Sequence, residues 1–270
     1  MTRPKVTVQS LADMKRRGEK IATLTAYDHP MALLEDRCGV DVILVGDSVA
    51  NVVLGYENTI PVTLDEVIHH TRAVARAHPR ALLVGDLPFM TYQAGASDAV
   101  RNAGRMLKEG GAEAVKLEGG RRMEPVIRAI LDAAIPVMGH LGLTPQSVHQ
   151  FGGYRVQGRE AAAAELLVED ARLLETCGCF AIVLEGMPWQ LAQRITTAVS
   201  IPTIGIGAGP HCDGQVLVIN DMLGMSGDFA PRFVKRYAEV GRLMAEAVEA
   251  YVADVKAGRF PDLDQSYSSE

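Results

Sequence analysis

Three carboxylates in the 270-residue sequence each follow a short apolar run: Asp47 after Val42-Ile43-Leu44-Val45-Gly46, Asp86 after residues 81–85, and Glu118 after residues 114–117. Hard oxygen donors brought together from separate elements repel one another unless a cation or hydrogen bonds hold them ionised. No cysteine and no paired histidine accompanies them. The set therefore points to Mg2+ with waters or substrate oxygens completing its shell, and Mn2+ or Co2+ as substitutes. One such carboxylate would be read as a helix cap, as Asp47-Ser48 could be; three, each directly after an apolar run, favour a metal.

Lys116 lies two residues before Glu118, so in a strand both side chains leave the same face and can meet one ligand. A cation there suits an anionic oxygen, such as a substrate carboxylate or a developing enolate. It suits a buried ion pair with Asp86 or Glu118 equally well. A Schiff base on Lys116 is disfavoured beside a metal that already supplies the electrophile. Glu185 ends the run 181–184 and opens into Gly186-Met187-Pro188. It is the best general-base candidate, or else a negative charge at the start of the helix that follows. His140, at the end of another run, is assigned a contact with substrate or with the groups around the site. The other six histidines have no partner at metal-ligand spacing.

These residues need a frame that brings strand ends together. Eight runs rich in Val, Ile and Leu, at 21–25, 41–45, 81–85, 114–117, 136–139, 181–184, 203–206 and 216–219, read as strands buried on both faces. Helical patterns at 64–77, 96–109, 123–133, 160–176, 189–199 and 231–255 lie among them. The alternation predicts a single-domain (β/α)8 barrel over residues 1–258, with an N-terminal extension, and a C-terminal tail over 259–270. In such a barrel the strand ends share one mouth, which would also receive Tyr27-Asp28, the Gly207 loop and Asn220-Asp221. An open doubly wound sheet is the rival. Its glycine fingerprint is missing, because Gly205-Ile206-Gly207-Ala208-Gly209-Pro210 has Pro where the third glycine belongs.

Composition narrows the function classes. The chain is 48% hydrophobic and 22% charged, as a folded globular protein should be. Its 33 acidic and 27 basic side chains leave a net charge of −6 and no basic footprint for nucleic acid. No window reaches the roughly 18 apolar residues of a membrane span. Residues 1–20 hold no apolar secretory core, so a cytoplasmic location is expected. The four cysteines are too sparse for a disulfide scaffold, and Cys177-Gly178-Cys179 reads as core packing rather than a zinc site.

Taken in order, these strand-end motifs resemble the ketopantoate hydroxymethyltransferase family along almost the whole chain. The match runs through Thr25-Ala26-Tyr27-Asp28, Leu44-Val45-Gly46-Asp47-Ser48, Pro61-Val62-Thr63 and Asp86-Leu87-Pro88-Phe89-Met90. It continues through Val115-Lys116-Leu117-Glu118-Gly119-Gly120, residues 139–147, Phe151-Gly152-Gly153-Tyr154, residues 204–209 and Asp213-Gly214-Gln215. The resemblance implies a (β/α)8 barrel that transfers the one-carbon unit of 5,10-methylenetetrahydrofolate to 3-methyl-2-oxobutanoate, giving 2-dehydropantoate. By position, Asp47, Asp86 and Glu118 match the magnesium site. Asp47 with Ser48, Asp86 and Lys116 match contacts to the keto acid, and Glu185 matches the proton acceptor. A homodecamer is the assembly implied.

Two places depart from the family pattern. In 49–58 the resemblance would put Gly and Met early and a His-Asp pair near the end, and Gly186 stands where Cys is frequent. Neither touches a presumed ligand. The nearest enzymatic alternative is a Mg2+-dependent lyase or mutase of the phosphoenolpyruvate mutase and isocitrate lyase group, acting on another 2-oxo acid. Such a lyase offers a reactive cysteine on a mobile loop, and no cysteine here has that setting with basic neighbours. A non-catalytic barrel would have lost a ligand or the base, and all are present.

Overall fold

The computed structural model describes residues 4–227 and 231–269; Arg3 and Glu270, included in the sequence reading, lie outside them. Eight parallel strands close a barrel in sequence order. They are β1 (Ile21–Thr25), β2 (Val42–Val45), β3 (Leu82–Asp86), β4 (Ala114–Lys116), β5 (Val137–Gly142), β6 (Ala181–Glu185), β7 (Thr203–Ile206) and β8 (Gly214–Leu217). Closure comes from β8 against β1, with Ile21 opposite Gly214 and Leu24 opposite Leu217. Every residue of β2, β3 and β5 is buried, the physical counterpart of their unbroken apolar runs.

Helices follow the strands on the return path: His29–Cys38 after β1, Leu64–Ala75 after β2, Ala96–Lys108 after β3, Glu124–Asp132 after β4, Ala161–Cys177 after β5 and Trp189–Ala198 after β6. Local chemistry sets their ends. Thr63 and Glu66 form a capping box ahead of Leu64–Ala75, and Asp28 accepts from the Met31 N–H ahead of His29–Cys38. Ahead of β1 lies the helix Val8–Arg17, opened by a Thr7–Ser10 capping box. Val6 and Leu11 join Ile21, Val42, Leu82, Met138, Ala181 and Ile204 in one packed core, so the barrel interior is filled from its N-terminal end. The Lys15 ammonium donates to the carbonyls of Thr196, Val199 and Ile201 and pairs with Asp213 at 2.9 Å.

The helix His29–Cys38 has no counterpart among the expected patterns, β5 runs three residues past its expected end at 139, and two further elements differ from expectation. The last strand begins two residues earlier than the apolar run 216–219 suggests. Gly214 has to pass the Ile21 carbonyl so closely that an added Cβ would lie 2.5 Å from it, and this contact sets the register. Asn220 and Asp221 consequently lie in the helical turn Ile219–Met222 instead of directly after a strand. The final helix is Val240–Lys256, not 231–255. Tyr237 N–H donates to the Met222 carbonyl and Val240 N–H to that of Leu223, which draws the preceding segment out of helical geometry.

The chain divides into two compact units, Met1–Val218 and Ile219–Glu270. The first contains the complete barrel. The second carries the turn Ile219–Met222, the helix Val240–Lys256 and a 3-10 turn at Leu263–Gln265 capped by Asp262. No described helix is long and apolar enough to cross a membrane.

Candidate active site

The barrel places the sequence-selected residues at its C-terminal end, where parallel strands with outside helices leave room for a site. Asp86, Lys116 and Glu185 are the last residues of β3, β4 and β6; His140 lies within β5; Asp47, Ser48 and Glu118 come just after β2 and β4. Asp47, Asp86, Lys116, Glu118 and His140 are all buried, while Glu185 keeps part of its side chain open. Gly142 flanks Glu185 across the β5–β6 pair with φ +98°, and a Cβ there would fall 2.2 Å from the Glu185 carbonyl oxygen. Only glycine meets both conditions.

Of the two readings of Lys116, the ion pair is formed: its ammonium donates to both oxygens of Asp86, at 2.8 and 2.7 Å. Asp86 Oδ2 also accepts from the Asp47 backbone N–H at 3.2 Å. Burial pushes the Asp86 carboxyl upward against the pull of Lys116, and the nearby Asp47 and Glu118 push the same way. Burial works against the Lys116 ammonium, yet Asp86, Glu118 and Asp47 together hold its pKa above the ordinary lysine value. The lysine stays charged, a fixed cation set among three acids.

His140 joins the base to the acids. Its Nε2 is 3.2 Å from Glu185 Oε2 and its Nδ1 is 3.5 Å from Glu118 Oε1. Neither approach has hydrogen-bond geometry, so the contacts are electrostatic. Burial and Lys116 oppose protonation of the ring, but Glu118 and Glu185 prevail and raise it to about 9. Glu185 thus faces an imidazolium.

The donor set suits a hard divalent cation. Glu118 Oε1 is buried without a hydrogen-bond donor, and the mutual repulsion of Asp47, Asp86 and Glu118 is what such an ion would relieve. Among the described residues no group of three or more His, Cys, Asp or Glu forms a ready-made metal cage. A cation held here would complete its shell with waters or substrate oxygens.

Four residues with a part in this arrangement have no site role assigned from the sequence, although Tyr27, Gln146 and Tyr154 lie in the motifs quoted above. The Tyr27 hydroxyl and Ser48 Oγ are hydrogen-bonded at 2.8 Å. Gln146 and Tyr92 hydrogen-bond to Asp47 and Glu118. Tyr154, on the loop after β5, has its phenol held above the ordinary range by burial and then by Asp47, Glu185 and Glu118. All four are neutral, and only Tyr27 had been placed at the mouth. The 49–58 segment closes on itself: Tyr56 N–H donates to the Ala50 carbonyl, and the Asn51 amide to the Tyr56 carbonyl at 3.0 Å.

A family model described as ketopantoate hydroxymethyltransferase matches residues 5–263. A 3-methyl-2-oxobutanoate hydroxymethyltransferase of Geobacter metallireducens is 56% identical, covering 98% of this chain and 99% of that protein. One of Moorella thermoacetica is 58% identical over 98% of both. Among solved structures, phosphonopyruvate hydrolase in complex with oxalate and Mg2+ aligns with TM-score 0.63 at 13% identity, covering 98% of this chain and 92% of that one. 2,3-Dimethylmalate lyase, a phosphoenolpyruvate mutase/isocitrate lyase superfamily member, aligns with TM-score 0.60 at 17% identity, covering 98% and 93%. These two share the barrel fold with this chain.

Proposed function

Because the chain belongs to the ketopantoate hydroxymethyltransferase family, we propose that its barrel mouth transfers the one-carbon unit of 5,10-methylenetetrahydrofolate to 3-methyl-2-oxobutanoate, giving 2-dehydropantoate. The observation that carries this reading is one partly open carboxylate, Glu185, beside a buried array of three acids and a charged lysine. That array is what proton abstraction next to a keto group requires.

Asp47, Asp86 and Glu118 would hold Mg2+, whose chemistry when bound is Lewis acidity toward the two oxygens of a 2-oxo acid and stabilisation of negative charge as the C3 proton leaves. Lys116, locked by Asp86, adds a fixed positive charge toward the same oxygens. Ser48, oriented by the Tyr27 hydroxyl, is a neutral hydrogen-bonding group for the keto acid. Glu185 accepts the proton from C3, with the His140 ring 3.2 Å away beside it. The freed carbon then bonds to the methylene carbon of the folate donor as one of that carbon's two C–N bonds breaks. Water replaces the second nitrogen and becomes the hydroxyl, and the two nitrogens take up the proton drawn from C3 and the one from water as tetrahydrofolate is released. Two large reactants must meet in one orientation, which is the work of a rigid array on strand ends.

The reading includes a cytoplasmic homo-oligomer, a decamer by family resemblance. The helix Val240–Lys256 has no buried residue and exposes Leu243, Met244, Val248, Tyr251 and Val255, an apolar face that a second copy would cover. The test of function is incubation with both substrates and Mg2+, with a chelator control, following 2-dehydropantoate by NMR. Metal-dependent product is expected. A folded, Mg2+-binding protein that makes none would move the reading to a lyase or mutase acting on another 2-oxo acid.

A further inference from the structure

Gln146 carries no charge and lies on no strand, yet it touches two of the three acids. It sits in the 3-10 turn Pro145–Ser147 after β5 and is 5% exposed. Its side-chain Nε2 donates to Asp47 Oδ2 and to the Leu87 carbonyl, both at 3.0 Å. Its backbone N–H donates to Glu118 Oε2, also at 3.0 Å. The opposite end of the amide, Oε1, accepts from the Tyr92 hydroxyl at 2.7 Å. Tyr92 in turn accepts from the Glu118 backbone N–H at 3.1 Å.

Each partner restricts this network to one arrangement. A backbone carbonyl only accepts, so Leu87 requires the NH2 end of the amide, and the same end then faces Asp47. The Tyr92 hydroxyl uses its lone pair on Glu118 N–H and its one proton on Gln146 Oε1, which blocks a flip of the amide. Gln146 thereby joins the ends of β2, β3 and β4 to the loop after β5. It engages one oxygen of each carboxylate and leaves Glu118 Oε1 buried without a donor.

We infer that Gln146 is a positioning residue for the cation site, fixing the carboxylates of Asp47 and Glu118, with Tyr92 setting the direction of its amide. The inference rests on the Mg2+ reading above and deepens it. Hydrogen bonds to metal-ligating groups orient them, and their loss typically lowers metal affinity by about 10- to 100-fold. The test uses Mn2+ as the probe, titrated by EPR into the full-length protein without substrates, alongside thermal melts. Gln146→Met is expected to raise the Mn2+ Kd by about 10-fold or more. Tyr92→Phe, which removes the shorter of two hydrogen bonds to Oε1 and leaves the one from the Gln93 amide at 3.3 Å, should raise it by a smaller factor. A folded Gln146→Met protein whose Kd stays within about twofold of wild type, even with a lowered Tm, overturns the inference and leaves the metal reading standing. A wild-type protein that takes up no Mn2+ overturns both. If Gln146→Met does not fold, Tyr92→Phe is judged by the same criterion.

Discussion

His140 Nε2 lies 3.2 Å from Glu185 Oε2, so the partly open carboxylate that ends β6 is paired with a buried ring whose pKa is raised to about 9. The ring in turn lies 3.5 Å from Glu118 Oε1, so the same residue links the candidate base to the acid cluster.

Glu185→Gln removes the acceptor while keeping size and position. It is expected to slow exchange of the C3 proton of 3-methyl-2-oxobutanoate with deuterated solvent by about 10²- to 10⁴-fold. Keto-acid binding should persist. The check is 1H NMR of the C3 signal in D2O beside a binding titration, and exchange at the wild-type rate would exclude Glu185 as the base.

Asp86 and Lys116 form a deeply buried ion pair, with side chains 1% and 5% exposed. Removing one partner strands the other. Asp86→Ala should lower the unfolding free energy by about 3–5 kcal/mol, because the Lys116 charge is left without its main partner. Adding Lys116→Met should recover much of that loss while both proteins remain inactive, measured by urea denaturation. Additive losses in the double variant would show that the two side chains do not act as a pair.

Much of this architecture was legible because a buried strand must be apolar on both faces, and β1 and β7 fall where their runs begin and end. β8 was misplaced for the same reason. Val218 and Ile219 extend its apolar run, but the close approach of Gly214 to Ile21 sets the register, and a contact between residues so far apart in sequence has no local sign. The site shows a similar division. Asp47, Asp86, Glu118 and Glu185 stand out as charges after apolar runs, whereas Gln146 and Tyr92 are neutral and gain their place only through the fold. For Lys116 the sequence offered a ligand contact or an ion pair, and only the position of the β3 end could decide that the pair forms.

Gly142 leads to a prediction about the base that leaves its side chain intact. Gly142→Ala places a methyl against the Glu185 carbonyl at a backbone angle unfavourable to alanine. The expected result is a folded protein with kcat reduced by about 10²-fold through misplacement of Glu185. Mn2+ affinity should change little, since the added methyl meets Glu185 and Met187 and none of the three acids. Comparing kcat with the Mn2+ titration checks this, and an equal loss in both would indicate a general collapse of the mouth.

Glu35 supplies a prediction about pH that is independent of the site. It lies in the helix His29–Cys38, 2% exposed, with both carboxyl oxygens lacking hydrogen-bond partners. Burial, aided by the charge of Asp28, raises it from 4.5 to about 8. Between those two values the folded chain keeps this proton and the unfolded chain releases it, so rising pH favours unfolding. The contribution from Glu35 should fall by about 1.4 kcal/mol per pH unit across that window and level off above it. Glu35→Gln cannot ionise and escapes this loss, so its stability advantage over wild type should widen from pH 5 to about 8. Urea denaturation of both proteins at several pH values measures the difference. A constant difference across the window would mean that Glu35 is already ionised in the folded protein.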